Sequence, residues 1–215
     1  MRVLIVHYTL YGHTHFLAEA IEKGAQEIEN AVVEMRRVPE VLSSEEIKQK
    51  RGAREFQKSF MTIPLCTMDD LRNADAIFFG GPTYLGCMCT QIQQFLESAS
   101  SLWKEGALVG KVGGAFTSSA SQHGGQEVAM LGIHGAMLHL GMIVVGLPYT
   151  FQEQMGIDEI NGVTPFGAAT ITGQKGERKP SDIELAAARF QGKHVASIAS
   201  KLRDGETPFT CKIVE

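Results

Sequence analysis

The residues best placed to do chemistry stand near the start of the chain, in Thr9-Leu10-Tyr11-Gly12-His13-Thr14. An apolar run, Val3 to Tyr8, precedes them, and a helical pattern from His15 to Glu29 follows. A short apolar run bounded by a turn reads as a strand buried in a parallel sheet. The helix that the turn opens has first N–H groups without internal partners and a positive dipole end, so the corner is a ready anion site. The loop offers hydroxyls (Thr9, Tyr11, Thr14) and one glycine, and holds no lysine or arginine. That suits a phosphate monoester gripped by neutral donors, rather than the triphosphate of a Gly-Lys-Ser/Thr loop. The alternative is an ordinary helix start with Thr14 as its cap.

Two further loops have the same character. Gly81-Pro82-Thr83-Tyr84-Leu85-Gly86-Cys87 follows a third strand, and Thr117-Ser118-Ser119-Ala120-Ser121-Gln122-His123-Gly124-Gly125-Gln126 follows a fourth. In an open parallel sheet, ligands bind beyond the C-terminal ends of the strands, where the strand order reverses. All three loops are rich in hydroxyls, glycines and aromatics and poor in acid and base. They suit a flat, neutral ring carrying one phosphate: the first loop takes the phosphate, and Tyr84 and Leu85 form flat or apolar walls. The plainer reading is three βα turns, which favour these residue types anyway.

The elements that must position these loops alternate. Strands are expected at Val3–Tyr8, Ala31–Arg37, Ala76–Gly80, Lys111–Thr117 and Met142–Leu147, and helices at about Thr14–Ile28, Met88–Trp103, Gly125–Leu140 and Ser181–Leu202. Such alternation builds a parallel sheet with helices on both faces, an α/β fold. Pro39–Asp69 and Pro148–Pro180 do not fit five βα units and read as insertions, a class of long loop that is usually functional.

Composition excludes several classes. The 215 residues suit one α/β domain with insertions, and the apolar and charged fractions, 44% and 20%, are ordinary for a globular protein. A net charge of −4 offers no basic footprint for nucleic acid. No run approaches the roughly 18 apolar residues of a membrane span, and Met1-Arg2 leads straight into the first strand without room for a signal peptide, so a cytoplasmic location is expected. Cys66, Cys87, Cys89 and Cys211 lack disulfide-framework or zinc spacing, so no metal is expected.

The chain resembles the tryptophan-repressor-binding-protein (WrbA) branch of the flavodoxin-like proteins, the type IV NAD(P)H:quinone oxidoreductases, which carry FMN. The resemblance covers about Val3 to Leu202. It rests on Tyr11-Gly12-His13, Gly81-Pro82-Thr83, Leu102-Trp103, Gly106-Ala107-Leu108 with Gly110-Lys111, Gly124-Gly125-Gln126-Glu127, Gly162 with Thr164-Pro165, Phe166-Gly167-Ala168 and Ala188-Arg189-Phe190-Gln191-Gly192. It implies a three-layer α/β/α sandwich over residues 1–203, insertions at about 39–69 and 148–180, and a C-terminal tail, 204–215, beyond the family's usual end. Its five-stranded parallel sheet would run in the order 2-1-3-4-5, for which flavodoxin is the standard example.

By this resemblance Thr9 through Thr14 match the phosphate loop, Pro82 through Gly86 the loop beside the flavin ring, and Thr117 through Gly124 the third flavin loop. His139 matches a histidine near the pyrimidine side, able to tune the flavin by stabilising its reduced anion. Tyr11 and Trp103 match the aromatic lining of the nicotinamide and quinone pocket. The family is tetrameric, so a homo-oligomer, dimer or tetramer, is expected, with the insertions helping to build the pocket across subunits. Two departures stand out. The family often shows Arg-Phe-Gly-Asn where this chain has Tyr84-Leu85-Gly86-Cys87, and the loop before Gly124 is one residue longer.

The implied activity is two-electron, ping-pong reduction of a quinone by NADH or NADPH, with hydride passing through flavin N5 and no protein nucleophile required. Read from the residues alone, His139 is equally a polar helix end complementing the dipole, and Trp103 a core residue. The competing functions are a non-enzymatic FMN electron carrier, which would usually be more acidic than this chain, and an FMN reductase or azoreductase with another acceptor.

Overall fold

The computed structural model describes residues 1–50 and 52–203. The expected tail 204–215, with Cys211, lies outside the described residues. The elements in chain order are β1 (Arg2–His7), α1 (His13–Ala25), β2 (Val32–Arg37), α2 (Ser44–Gln49), α3 (Ala53–Phe60), α4 (Met68–Asn73), β3 (Ala76–Tyr84), β4 (Cys87–Met88), α5 (Thr90–Ser98), α6 (Ser100–Glu105), β5 (Val112–Ser119), α7 (Gln126–His139), β6 (Ile143–Val144), a 3-10 turn (Gln152–Met155), β7 (Gly167–Ile171) and α8 (Asp182–Arg203).

Period-2 alternation divides the sheet residues between two cores. Val3 and Ile5 of β1 and Phe78 of β3 pack against Leu17 and Ile21 of α1 and Val195 of α8. Leu4, Val6, Ile77 and Phe79 point the other way, onto Phe95 of α5, Leu102 of α6 and Met130, Ile133 and Met137 of α7. Burying each such side chain contributes about 1.5–3 kcal/mol. α1 and α8 cross so closely that a Cβ on Gly24 would lie 1.8 Å from the Arg189 carbonyl oxygen, and one on Gly192 would lie 2.1 Å from that of Ile21. Among the described residues no helix is long and apolar enough to cross a membrane.

The flavodoxin-like α/β sandwich with its parallel sheet is present, but the expected five strands in the order 2-1-3-4-5 become seven among the described residues, five of them along the path β2-β1-β3-β5-β6, with β4 and β7 off it. β4 pairs antiparallel with the end of β3. The position beyond β5 is shared: β6 pairs with Val112 and Gly113, and β7 with Ala115 through Ser119. The second insertion thus contributes a strand. β7 is hard to read because Gly-Ala-Ala-Thr-Ile is buried at every position and lacks both alternation and bulk. The expected helix Met88–Trp103 is α5 and α6, broken at Ala99. In the first insertion, Ser43 and Glu46 form a capping box that starts α2, and Thr67 with Asp70 forms another at α4.

Candidate functional site

β1, β3 and β5 run parallel and adjacent, in a register that pairs His7 with Gly80 and Pro82 with Ser118. Their C-terminal loops therefore emerge side by side. Thr14 Oγ1 and Ser118 Oγ, both buried, lie 3.0 Å apart and join the first loop to the third. Thr83 donates through Oγ1 to the Gly124 carbonyl at 3.2 Å, and buried Thr117 donates to the Gly81 carbonyl at 2.7 Å. The turn between β3 and β4 has positive φ at both Leu85 (50°) and Gly86 (78°), the signature of a type I′ hairpin. Leu85 projects fully into solvent at its tip.

The first loop is built to leave donors open. Gly12, at φ +99°, ends the loop at the helix start; no side chain caps α1, and its first turn holds no acid. Thr14 is committed to Ser118, so it is not the cap. The first amides of α1 are thus without side-chain partners, which is what an anion at a helix start requires. A Cβ on Gly12 would meet the Phe56 ring at 2.8 Å, so α3 closes one side of the loop. Gln57 of α3 donates to the carbonyls of Thr9 (2.8 Å) and Leu10 (3.2 Å). His13 bonds through Nε2 to the Gly176 carbonyl at 3.1 Å. A carbonyl only accepts, so Nε2 carries the proton. Burial lowers the pKa of His13, with the Gly176 carbonyl working against it, so the ring is neutral at neutral pH.

These loops border a cavity of about 520 Å³, within the usual range for small-molecule sites. Of the residues expected at a cofactor, Thr9, Leu10, Tyr11, His13, Pro82, Thr83, Tyr84, Ser118, Ser119 and Ala120 line it. Gly12, Thr14 and Thr117 support it from within the loops through the contacts given above. Gly86 packs at the Gly125 backbone, where a Cβ would come within 2.4 Å of its Cα. Ser121 and Gly124 form the turn that closes the third loop. Gln122 and His123 border a separate hollow beside Asn161 to Thr164, so the longer third loop turns away from the cavity there.

His139 and Trp103 are not at this cavity within one chain. They share an apolar groove of about 420 Å³ with Met88, Leu96, Ala136 and Leu140. Both lie on helices, α7 and α6, that reach the surface beside it. Trp103 is 39% exposed.

The cavity also has walls that the motifs did not indicate. Gln49 and Lys50 come from the first insertion, and Thr172, Gly173, Gln174, Lys175 and Gly176 from the second. The first loop holds no lysine or arginine, yet two lysines border the cavity, and among the described residues no aspartate or glutamate does. Lys50 stands in the run Lys48-Gln49-Lys50-Arg51, which looks like any solvated charge cluster. A usable signal lay in Gly173-Gln174-Lys175-Gly176, where glycines bracket a cation; both have positive φ, 80° and 69°.

Beneath the loop, buried His7 meets His15, with Nε2 and Nδ1 3.0 Å apart. Burial, then the charge of His15, pulls the His7 pKa down to about 3. Tyr8 donates to Glu40 at 2.8 Å, and burial pushes its phenol pKa up. The site is thus electrically quiet apart from its two lysines.

Known proteins agree with this architecture. Residues 1–154 match the family model described as NADPH-dependent FMN reductase. A Geotalea daltonii protein named NAD(P)H dehydrogenase (quinone) is 56% identical over 202 residues, 94% of this chain and 98% of that one. A Geobacter sulfurreducens protein of the same name is 55% identical over 202 residues, with 94% and 99% covered. Among solved structures, a WrbA-like flavodoxin from Agrobacterium tumefaciens shares the fold with a TM-score of 0.64 at 24% identity, over 93% of this chain and 98% of that one.

Proposed function

The chain belongs to the NADPH-dependent FMN reductase family, in its WrbA-type quinone oxidoreductase branch, and from this we infer that it is an FMN-dependent NAD(P)H:quinone oxidoreductase whose cofactor lies in the 520 Å³ cavity. The observation that carries the placement is the uncapped, acid-free start of α1, opening between the three strand-end loops. FMN fits this donor set: the amides of the first turn and the Thr9 hydroxyl face a phosphate with neutral donors, and Pro82 to Tyr84 and Ser118 to Ala120 offer walls for a ring.

Bound FMN would supply the two-electron chemistry between NADH or NADPH and a quinone, in ping-pong order. The protein's part is to bind, orient and shield. Gln57 and His13 hold the loop from both sides. Tyr11, 45% exposed at the cavity edge, and Tyr84, 44% exposed, give flat surfaces to an incoming nicotinamide or quinone.

His139 and Trp103 act from a second copy of the chain. Supporting this are the solvent-facing Val128, Leu131 and Leu138 of α7, an apolar face beside the groove that holds both residues, which a monomer would not usually leave bare. The assembly is a dimer or tetramer.

The test is a visible spectrum of the protein with FMN, followed by anaerobic NADH or NADPH and then a benzoquinone. Bleaching and recovery are expected. Binding without bleaching would make the protein an electron carrier, and no binding would remove FMN from the cavity.

A further inference from the structure

Two lysines from different insertions border the same cavity as the six-residue loop. Lys50 ends α2, and its carbonyl accepts from the Ala53 amide at 3.1 Å, so it stands in the corner where α3 begins. That helix is moored to Thr9 and Leu10 through Gln57. Lys175 stands in the turn closed by the Gly176 amide on the Gly173 carbonyl at 3.1 Å. The turn is fixed at three points: the Thr172 amide on the Ser119 carbonyl (2.8 Å), the Arg178 amide on the Thr172 carbonyl (2.8 Å), and His13 on the Gly176 carbonyl. The segment that carries one lysine is therefore tied to the start of the loop, and the segment that carries the other to its end.

Both border the cavity, and among the described residues no carboxylate does. Neither ammonium is in an ion pair among the described residues. Glu177 is the acid next to Lys175, but its carboxylate accepts the Lys175 backbone N–H at 2.8 Å and lies outside the cavity lining. Two lysines without an ion pair among the described residues, whose acidic neighbours Glu46 and Glu177 both stand outside the cavity lining, border a hollow that already presents open helix amides. Together they make a local positive field, which attracts anions to a cleft.

We propose that Lys50 and Lys175 form a two-lysine clamp for a phosphate dianion at the mouth of the cavity, flanking the neutral loop and supplying the charge that the loop lacks. The inference rests on the FMN reading above. The dianion has two sources, the 5′-phosphate of FMN and the 2′-phosphate of NADPH, and both carry the same recognition chemistry.

The experiment uses the full chain freed of flavin, with Lys50→Met, Lys175→Met and the double variant. Methionine keeps most of the unbranched side chain and removes the charge. FMN and riboflavin, which lacks the phosphate, are titrated by fluorescence at low and high KCl; KM is then measured for NADH and NADPH on the flavin-loaded protein. If FMN is the source, each single variant weakens FMN binding about threefold and the double about tenfold. Riboflavin binding stays unchanged, and the double variant loses most of the salt dependence. If NADPH is the source, FMN binding holds and the KM for NADPH alone rises by a similar factor. FMN affinity and NADPH KM both within about twofold of the parent would overturn the clamp while leaving the proposed function standing. A parent protein that binds neither FMN nor riboflavin would overturn both.

Discussion

The side-chain amide of Gln57 lies 2.8 Å from the Thr9 carbonyl, across 48 residues of sequence, and so ties the first insertion to the loop that opens α1. The same nitrogen reaches the Leu10 carbonyl. Both carbonyls belong to buried residues, where an unmet acceptor costs about 1–3 kcal/mol. Gln57→Leu keeps the bulk and removes the donor. Urea titration should show about that loss of stability, and FMN should bind several-fold more weakly because the loop is no longer held. An unchanged FMN affinity would mean that Gln57 supports the fold and not the loop's shape.

Much of this was legible beforehand, for identifiable reasons. β1, β3 and β5 carry buried apolar residues and lead into loops rich in Thr, Ser and Gly, and long α8 carries a clear apolar face. Their loops could be placed side by side from parallel topology alone. The remainder depends on contacts distant in sequence. Nothing near Lys50 says that α3 will fold back onto Thr9. Residues Gly167 to Ile171 become a strand because β5 offers an open edge, since β6 covers only its first two residues. Resemblance groups Trp103 and His139 with the flavin loops, whereas within one chain they share a groove of their own.

Gly192 is fixed by the crossing of α1 and α8. In Gly192→Ala the new Cβ would lie 2.1 Å from the Ile21 carbonyl oxygen, a backbone atom that cannot swing aside. Higher intrinsic helix propensity would contribute about 1 kcal/mol in favour of alanine, and the forced separation of two packed helices outweighs it. A net loss of about 2–3 kcal/mol is expected in chemical denaturation. A variant as stable as the parent would show that the helices can part without loss.

Acid should loosen the fold through His7. Its folded pKa, about 3, lies below the ordinary 6.5, because burial and the neighbouring His15 oppose the charge. The unfolded chain therefore binds the proton more readily. Stability from this group is complete above pH 6.5 and falls as the pH drops toward 3, by about 2 kcal/mol at pH 5. His13 and His15, also lowered by burial, act in the same direction. His7→Phe, which fills the space without a titrating group, should show a flatter stability profile between pH 7 and 5. A profile parallel to the parent's would place the acid sensitivity elsewhere.

Glu184 is fully buried, and its carboxylate accepts from Gly162 N, Ile171 N, Ser181 N and the Thr170 hydroxyl, and from Arg178 at 2.8 Å. It thus fastens the second insertion on both sides of the Lys175 turn. Glu184→Gln turns an amide N–H₂ toward groups that are all donors and leaves Arg178 without its counter-charge. The loss should be about 2–4 kcal/mol, reduced from a fully buried pair because Arg178 is partly exposed. Hydrogen exchange should rise at residues 160–178 before the rest of the molecule. Uniform exchange across the chain would deny that this insertion depends on the pair.

The apolar face of α7 gives the last prediction. Leu138 is 63% exposed and Leu131 49%, on a helix whose opposite side is buried in the core. An apolar face of this kind suits the proposed interface between copies of the chain, and the groove holding Trp103 and His139 is lined from the same helix. Light scattering should find the parent protein as a dimer or tetramer, and Leu131→Glu with Leu138→Glu should shift it toward the monomer. The three loops and the cavity that they border belong to one chain, so the monomer should bind FMN with an affinity close to the parent's. Its quinone turnover should fall at least tenfold if Trp103 and His139 reach the cavity only from a neighbour, and Trp103→Ala in the assembled protein should lower turnover in the same direction. A monomer with full quinone turnover would exclude both residues from the reaction and leave α7 with an assembly role alone.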